Sequence, residues 1–310
     1  MEQYYIGIDI GGTTVKHGLF HGEDLLEKWE IPTRVQEQTI MADIAASIQE
    51  KLDARGLAAE QITGAGIAVP GSTDLKQHVY SAVNIGWKDL DLQAEMDKAL
   101  HIPVVCGNDA NIAALAEYWK GCARDVKSFV MLTLGTGLGG GIVIDGHIVN
   151  GKHGIGGEVG HIHVNDAEEK ACGCGGHGCL EQYASATGAV NNARALLAAS
   201  DAPSTLREME LNPRNVADQA KAGDRIAAQA LSVMAEYLGR GMANIGNILD
   251  PDAFVIGGGF ARTGDYLLDQ VKKVYAKYAF LGFTVDVRYA ELGNDAGIYG
   301  AAKLAIDTFC

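Results

Sequence analysis

The chain runs twice through one order of elements, and that repeat constrains its fold more than any single motif does. In the first pass, residues 4–9, 15–20 and 25–31 read as three strands of a meander, turned at Gly11-Gly12-Thr13 and at His21-Gly22-Glu23-Asp24. Ile40, Ile44, Ile48 and Leu52 then recur at helical spacing, and an apolar strand (65–69), a helix (92–100), a strand (102–106) and a helix (110–120) follow. The second pass opens with a strand at 129–134, a glycine-rich turn, a strand at 142–144, the Asp145-Gly146 hairpin turn and a strand at 147–150. Helices at 186–199 and 225–249, a buried strand at 253–256, a helix at 264–277, a strand at 284–289 and a closing helix from 296 complete it. Three meandering strands followed by alternating helices and strands, twice over, predict an α/β fold with two mixed sheets in two lobes and a ligand cleft between them. With 310 residues, 47% of them hydrophobic, each lobe can form its own core. The expected division is 1–117, completed by the C-terminal helix 296–310, and 118–295.

Charge narrows the partners. Acidic residues outnumber basic ones 39 to 25, and a formal charge of −14 repels nucleic-acid phosphates and anionic membrane surfaces. The start, Met1-Glu2-Gln3-Tyr4-Tyr5, has neither the basic residues nor the apolar run of a signal peptide, and no apolar stretch is long enough to span a bilayer. A soluble, cytoplasmic protein is expected. Six cysteines in this length do not make a disulfide framework; Cys106, Cys122 and Cys310 are scattered and read as ordinary buried or terminal thiols.

Glycines gather where the repeat turns. Asp9-Ile10-Gly11-Gly12-Thr13-Thr14 ends the first strand, and Thr133-Leu134-Gly135-Thr136-Gly137, continuing to Gly141, ends its counterpart in the second pass. Glycine lets backbone N–H groups approach a phosphate and threonine adds hydroxyl donors, so the matched pair reads as two sides of a triphosphate site, while either turn alone reads equally as a hairpin. Neither has the Gly-Lys-Ser/Thr ending of a P-loop. Asp9 is placed to orient Mg²⁺ through water, or to cap its own turn. Lys16 either reaches a phosphate or lies in solvent. Gly257-Gly258-Gly259, directly after an apolar strand, would let an adenosine lie flat on the backbone.

Asn108-Asp109-Ala110-Asn111 joins a buried strand to a helix, and Asp109 has two readings there. As an N-cap it would stabilise the helix by about 1 kcal/mol. As a general base it would accept the proton of a sugar hydroxyl while that oxygen attacks a γ-phosphate. The company of two phosphate turns favours the base. Gly71, Asn84, Asn108, Glu158, His161 and Glu181 are the candidates for a pocket that binds neighbouring hydroxyls. His161 and the run Cys172-Gly173-Cys174-Gly175-Gly176-His177-Gly178-Cys179 offer a tetrahedral Cys₃His set for structural Zn²⁺, with free or redox thiols as the alternative and His177 as a rival ligand.

Together these residues resemble the ROK family (repressors, open reading frames and kinases). The resemblance rests on Asp9-Ile10-Gly11-Gly12-Thr13, Asn108-Asp109-Ala110-Asn111, the Gly135 to Gly141 loop, Glu158-Val159-Gly160-His161 and the Cys172, Cys174, Cys179, Glu181 pattern, and it extends to Leu292-Gly293-Asn294-Asp295-Ala296-Gly297. Asn84-Ile85-Gly86-Trp87-Lys88 and Ala184-Ser185-Ala186-Thr187-Gly188 look most like the family's bacterial glucokinases. The resemblance implies a duplicated ribonuclease-H-like fold of the actin and hexokinase type, and transfer of the γ-phosphate of ATP to the 6-hydroxyl of glucose. It implies Asp109 as the base, sugar contacts at Gly71, Asn84, Asn108, Glu158, His161 and Glu181, and zinc ligands at His161, Cys172, Cys174 and Cys179. ATP with Mg²⁺ is then expected along Asp9, Gly11, Gly12, Thr13, Thr14, Lys16, Thr133, Gly135, Thr136, Gly137, Gly257, Gly258 and Gly259. A homodimer or homotetramer is implied, with sugar and ATP as the small-molecule partners. Two alternatives accompany this reading. One is a kinase for N-acetylmannosamine, fructose or allose. The other is a sugar-responsive repressor, which needs a DNA-binding domain ahead of a motif that here begins at Asp9.

Overall fold

A computed structural model describes residues 3–310, the Arg262 side chain excepted. The first pass gives β1 (Tyr4–Ile10), β2 (Thr14–His21), β3 (Asp24–Pro32), α1 (Ile40–Arg55), β4 (Ile62–Val69), β5 (Ser72–Thr73), β6 (His78–Ala82), β7 (Trp87–Asp91), α2 (Leu92–Met96), β8 (Val104–Asn108) and α3 (Asp109–Trp119). The second gives β9 (Phe129–Leu134), β10 (Leu138–Ile144), β11 (His147–Ile148), α4 (Glu181–Ala184), α5 (Ala186–Ala199), α6 (Pro213–Lys221), α7 (Arg225–Leu249), β12 (Ala253–Gly257), α8 (Asp265–Tyr278), β13 (Asp286–Tyr289) and α9 (Ala296–Phe309). The two large sheets share one plan, β3-β2-β1-β4-β8 and β11-β10-β9-β12-β13. In each, an antiparallel hairpin edge leads into parallel strands, β1 beside β4 and β9 beside β12.

The chain forms two compact units. One holds the residues up to Lys127 together with Gly141–Gly157 and Glu291–Cys310; the other holds Ser128–Gly140 and Glu158–Ala290. Residues 118–127, 141–157 and 291–295 therefore belong to the first unit, not to the second as the repeat suggested. Packing explains this. Trp119 lies against Phe20 and Tyr299, and Gly141 and Gly154 approach the backbone of Ala110 and Thr73. The first unit's core sets Ile6, Ile8 and Ile10 of β1 against the apolar stripe Ile40, Ile44, Ile48 and Leu52 of α1. On the other face α9 lies so close that a Cβ at Gly7 or Gly66 would collide with its backbone at Ile298 or Ala301. Glu117, fully buried, accepts N–H bonds from Cys122 (3.0 Å), Glu291 (3.1 Å) and Leu292 (2.9 Å), which satisfies a carboxylate that would be costly to bury unpaired. In the second unit, Val130 and Leu132 of β9 and Phe254 and Val255 of β12 are fully buried, as are Leu231 and Met234 on the apolar face of α7.

Three details depart from the sequence reading. The glycine run does not remain a turn to Gly141, because β10 already begins at Leu138. The helix expected at 92–100 stops at Met96, and a small sheet β5-β6-β7 precedes it. Helix α6 was not expected at all, although Asn212 caps it by accepting the Asn215 N–H at 2.8 Å and Pro213 occupies its first turn. Among the described residues no helix is long and apolar enough to cross a membrane.

Candidate functional site

In the first unit the glycine turn between β1 and β2 closes on itself, the Gly11 N–H donating to Thr14 O at 2.9 Å. Thr33, just beyond β3, clamps it twice: its N–H donates to Thr13 O at 2.8 Å and its hydroxyl to Gly11 O at 2.8 Å. Gly12 and Asn84 line a cavity of about 500 Å³ with Thr33, Arg34, Val35, Gln36 and Glu37. The sequence reading missed this Thr33–Glu37 wall, since nothing local marks it. At the end of β1, burial pushes the Asp9 carboxyl above its usual range while Lys16, 3.8 Å away, pulls it back. Lys16, partly exposed, also donates to Asn294 O at 3.1 Å. A carboxylate held off water in this way suits a divalent cation nearby.

The start of α3 separates two roles that the sequence left entangled. Asn108, not Asp109, is the N-cap: its Oδ1 accepts from Ala110 N (3.0 Å) and Asn111 N (3.1 Å). Its amide donates to Gly71 O at 3.2 Å, joining two of the expected sugar residues. Asp109 is the first helical residue, exposed, with Oδ1 accepting from Ala110 N at 2.9 Å. The capping reading of Asp109 is thus corrected, because the residue before it already serves the helix terminus. A carboxylate at that end of a helix is stabilised in its charged form.

The second unit carries the other turn, between β9 and β10. Gly135 N–H donates to Gly137 O at 3.0 Å, and Gly135 O accepts from Ala186 N, the first residue of α5, at 2.9 Å. Leu138 N–H donates to Glu181 Oε2 at 2.9 Å, and a Cβ at Gly137 would collide with that same oxygen. Gly257 stands opposite Thr133 across β12 and β9, and Gly258, at φ +85°, is so close to the Leu134 backbone that only glycine fits. Gly135, Thr136 and Gly259 border a cavity of about 980 Å³ whose remaining wall includes Ala186, Phe260 and the α6 residues Arg214, Asp218 and Lys221. The Asn212-Pro213 pair was the sequence signal that marks α6.

Next to this turn, His161, Cys172, Cys174 and Cys179 bring one ligand atom each within 4.8 Å of one another. Cys174 Sγ and Cys179 Sγ are 3.7 Å apart, and Cys172 Sγ is 3.8 Å from His161 Nδ1. A tetrahedral ion bound to thiolates at ~2.3 Å spaces its ligands by about 3.8 Å, so the four groups fit Zn²⁺. Burial raises the Cys172 and Cys179 thiols, the latter to about 12, whereas the Gly176 N–H lowers Cys174. As metal ligands these sulfurs would be thiolates, the form that a nearby cation favours. His177 lies outside this set; it is exposed, and its carbonyl faces His163 Nδ1 at 2.8 Å. The other nitrogen of His161, Nε2, is 3.7 Å from Glu158.

Two units on one strand plan, each with a glycine turn after its first strand, define the duplicated ribonuclease-H-like class of the actin and hexokinase type. A family model described as the ROK family matches residues 5–308, and the chain belongs to that family. It is 38% identical to a glucokinase of Halalkalibacterium halodurans over 98% of this chain and 95% of the relative. A ROK family glucokinase from Streptomyces griseus, solved in complex with glucose and AMPPNP, superposes with a TM-score of 0.79 at 32% identity, covering 98% of this chain and 99% of that one. The xylose repressor of Caldicellulosiruptor bescii is 28% identical over 97% of this chain and 77% of its own length.

Proposed function

We propose that the chain is a glucokinase that transfers the γ-phosphate of ATP to the 6-hydroxyl of glucose. The observation that carries this reading is the helix start at Asn108-Asp109, where the cap is provided by Asn108 and the Asp109 carboxylate is left exposed in a chain 38% identical to a glucokinase. Asp109 accepts the 6-hydroxyl proton as that oxygen attacks the γ-phosphorus, and the bond from phosphorus to the β–γ bridging oxygen breaks, leaving ADP. Gly71, Asn84 and Asn108 of the first unit, and Glu158, His161 and Glu181 of the second, are assigned to the sugar. The Gly11–Thr14 turn with Asp9 and Lys16, and the Thr133–Gly137 turn with Gly257–Gly259, are assigned to the nucleotide, with α6 and Phe260 as further walls for its base. Mg²⁺ bound with the nucleotide would neutralise charge on the transferring group, with Asp9 orienting it through water. Zn²⁺ would be held by His161, Cys172, Cys174 and Cys179 and would set the shape of their loop. The two units are read as the two lobes of the enzyme, its place as the cytoplasm, and its assembly as a homodimer or homotetramer.

Following ATP consumption across a panel of hexoses and N-acetylhexosamines tests the substrate. Higher kcat/KM for N-acetylmannosamine, fructose or allose than for glucose overturns the choice of glucose. Asp109→Asn is expected to lower kcat by about 10²–10⁴-fold with little change in KM for glucose. Near-normal turnover in a folded variant removes the base.

A further inference from the structure

Both external bonds on the second glycine turn come from one short segment that is continuous with the cysteine cluster. Cys179, the last of the four metal-type ligands, is followed by Leu180 and then by Glu181, whose Oε2 accepts the Leu138 N–H at 2.9 Å. Glu181 Oε1 lies 3.7 Å from Cys172 Sγ, so one carboxylate touches the turn with one oxygen and the cluster with the other. The segment runs on through α4 to Ala186, whose N–H donates to Gly135 O at 2.9 Å. Its start is tied to the cluster as well, since the Cys179 N–H donates to Gln182 Oε1 at 3.0 Å. The loop that carries Cys172 and Cys174 is glycine-rich, with Gly173, Gly175 and Gly176 between or beside the ligands, and has little side-chain packing of its own to hold it.

We infer that metal held by His161, Cys172, Cys174 and Cys179 sets the affinity for the phosphoryl donor, by fixing Glu181 and Ala186 against the Gly135–Leu138 turn. The inference rests on reading that turn as a donor-phosphate site. Without the metal the ligand loop keeps only backbone bonds such as Cys172 N–H to Gly176 O (2.7 Å) and Gly175 N–H to Cys172 O (2.9 Å), Glu181 and Ala186 gain freedom, and the turn presents its backbone N–H groups less uniformly. Glu181 and Ala186 are positioning residues in this role. The effect is expected on the donor in the absence of any sugar, which separates it from a role of the same loop in sugar binding.

The experiment uses the full chain loaded with zinc, stripped by chelation, and reloaded with zinc. Hydrogen exchange at the Leu138 and Ala186 amides should accelerate about fivefold or more on stripping and recover on reloading, while Phe254 and Val255 in β12 stay protected. AMPPNP binding measured by calorimetry without sugar should weaken by about fivefold or more in the stripped chain. Smaller changes in either measurement overturn the inference. If the zinc-loaded chain binds glucose but no AMPPNP, the assignment of the turn to donor phosphates fails, and the exchange measurement still decides whether the metal orders it. Ala186→Pro gives a second route. Ser185 is extended (φ −116°, ψ 175°) and Ala186 is the first residue of α5, so proline is compatible with the helix but removes the N–H that holds Gly135. This variant should keep one equivalent of zinc and lose AMPPNP affinity by about fivefold or more. Wild-type AMPPNP affinity in it overturns the part of the inference that runs through Gly135.

Discussion

The first glycine turn is fastened by a residue of its own sheet's edge, the second by a segment that leads out of a cysteine cluster. Both close internally through the N–H of their first glycine, Gly11 to Thr14 O and Gly135 to Gly137 O. In both, the carbonyl of that first glycine accepts a bond from outside, but the donor is the Thr33 hydroxyl in one and the Ala186 N–H in the other. The second turn has an additional carboxylate contact through Glu181. Repetition of the fold therefore places a glycine turn at equivalent points, but the first closes over four residues and the second over three, and each is fastened differently. One turn is held from the end of β3; the other is held by the segment that follows Cys179.

Acid should separate the two units most strongly. His17 in β2, a few residues past the first turn, is fully buried and stacked on Trp29, with ring centroids 4.9 Å apart. Burial lowers its imidazole from 6.5 to about 4, with a Trp29 backbone contact working the other way. Between those values the unfolded chain binds the proton that the folded one refuses. The stabilisation from keeping His17 neutral is therefore fully present above pH 6.5 and is lost as pH falls toward 4, by about 3 kcal/mol. All three tryptophans, Trp29, Trp87 and Trp119, lie in the first unit, so denaturant titrations followed by tryptophan fluorescence report on it. His17→Phe should flatten the acid limb; an unchanged limb removes His17 as its cause.

Cβ atoms added to the two turns give the next contrast. Gly137→Ala forces Glu181 away from the Leu138 N–H, and if the turn binds phosphate as proposed, a displacement of that kind is expected to cost about 10²-fold in kcat/KM for ATP. A Cβ at Gly12 meets nothing within 4 Å, so Gly12→Ala should leave the unfolding free energy within about 0.5 kcal/mol of wild type, whereas Gly137→Ala should lower it by more. Equal destabilisation by the two substitutions would erase the distinction between the turns. The smallest effect is assigned to Thr33→Val, which removes one hydroxyl from Gly11 O and keeps the side-chain shape. It should weaken AMPPNP binding by about fivefold, with Thr33→Ser restoring it, and glucose affinity should not follow. If Thr33→Val leaves AMPPNP affinity unchanged, the first turn does not depend on its clamp.

The strands around both turns were legible because buried strands alternate or run apolar over a few residues, as at Ile6, Ile8 and Ile10. The four metal-type ligands were legible because their chemistry is concentrated in one short loop. Helix α6 was missed although Asn212 and Pro213 mark its start, because its polar residues Arg214, Asn215 and Asp218 mask the buried stripe Val216, Ala217 and Ala220. The small sheet β5-β6-β7 was missed because its strands are short and mixed in polarity. Asp109 was placed at the right helix terminus with the wrong alternative role, since composition does not distinguish the cap from its neighbour, whereas the extended backbone of Asn108 (φ −60°, ψ 140°) does.

By itself the sequence determined the repeated order of elements, the two glycine turns at equivalent places in it, the acidic residue at the start of α3, and the set of soft ligands. Those features are local: periodicity, turn chemistry and ligand type act over a handful of neighbouring residues. Tertiary structure decided that Thr33 holds Gly11, that Glu181 holds Leu138 and also touches Cys172, and that residues 141–157 join the first unit. These contacts join residues separated along the chain, and they exist only once strand register and helix packing have brought a particular hydroxyl, amide or carboxylate within hydrogen-bond distance.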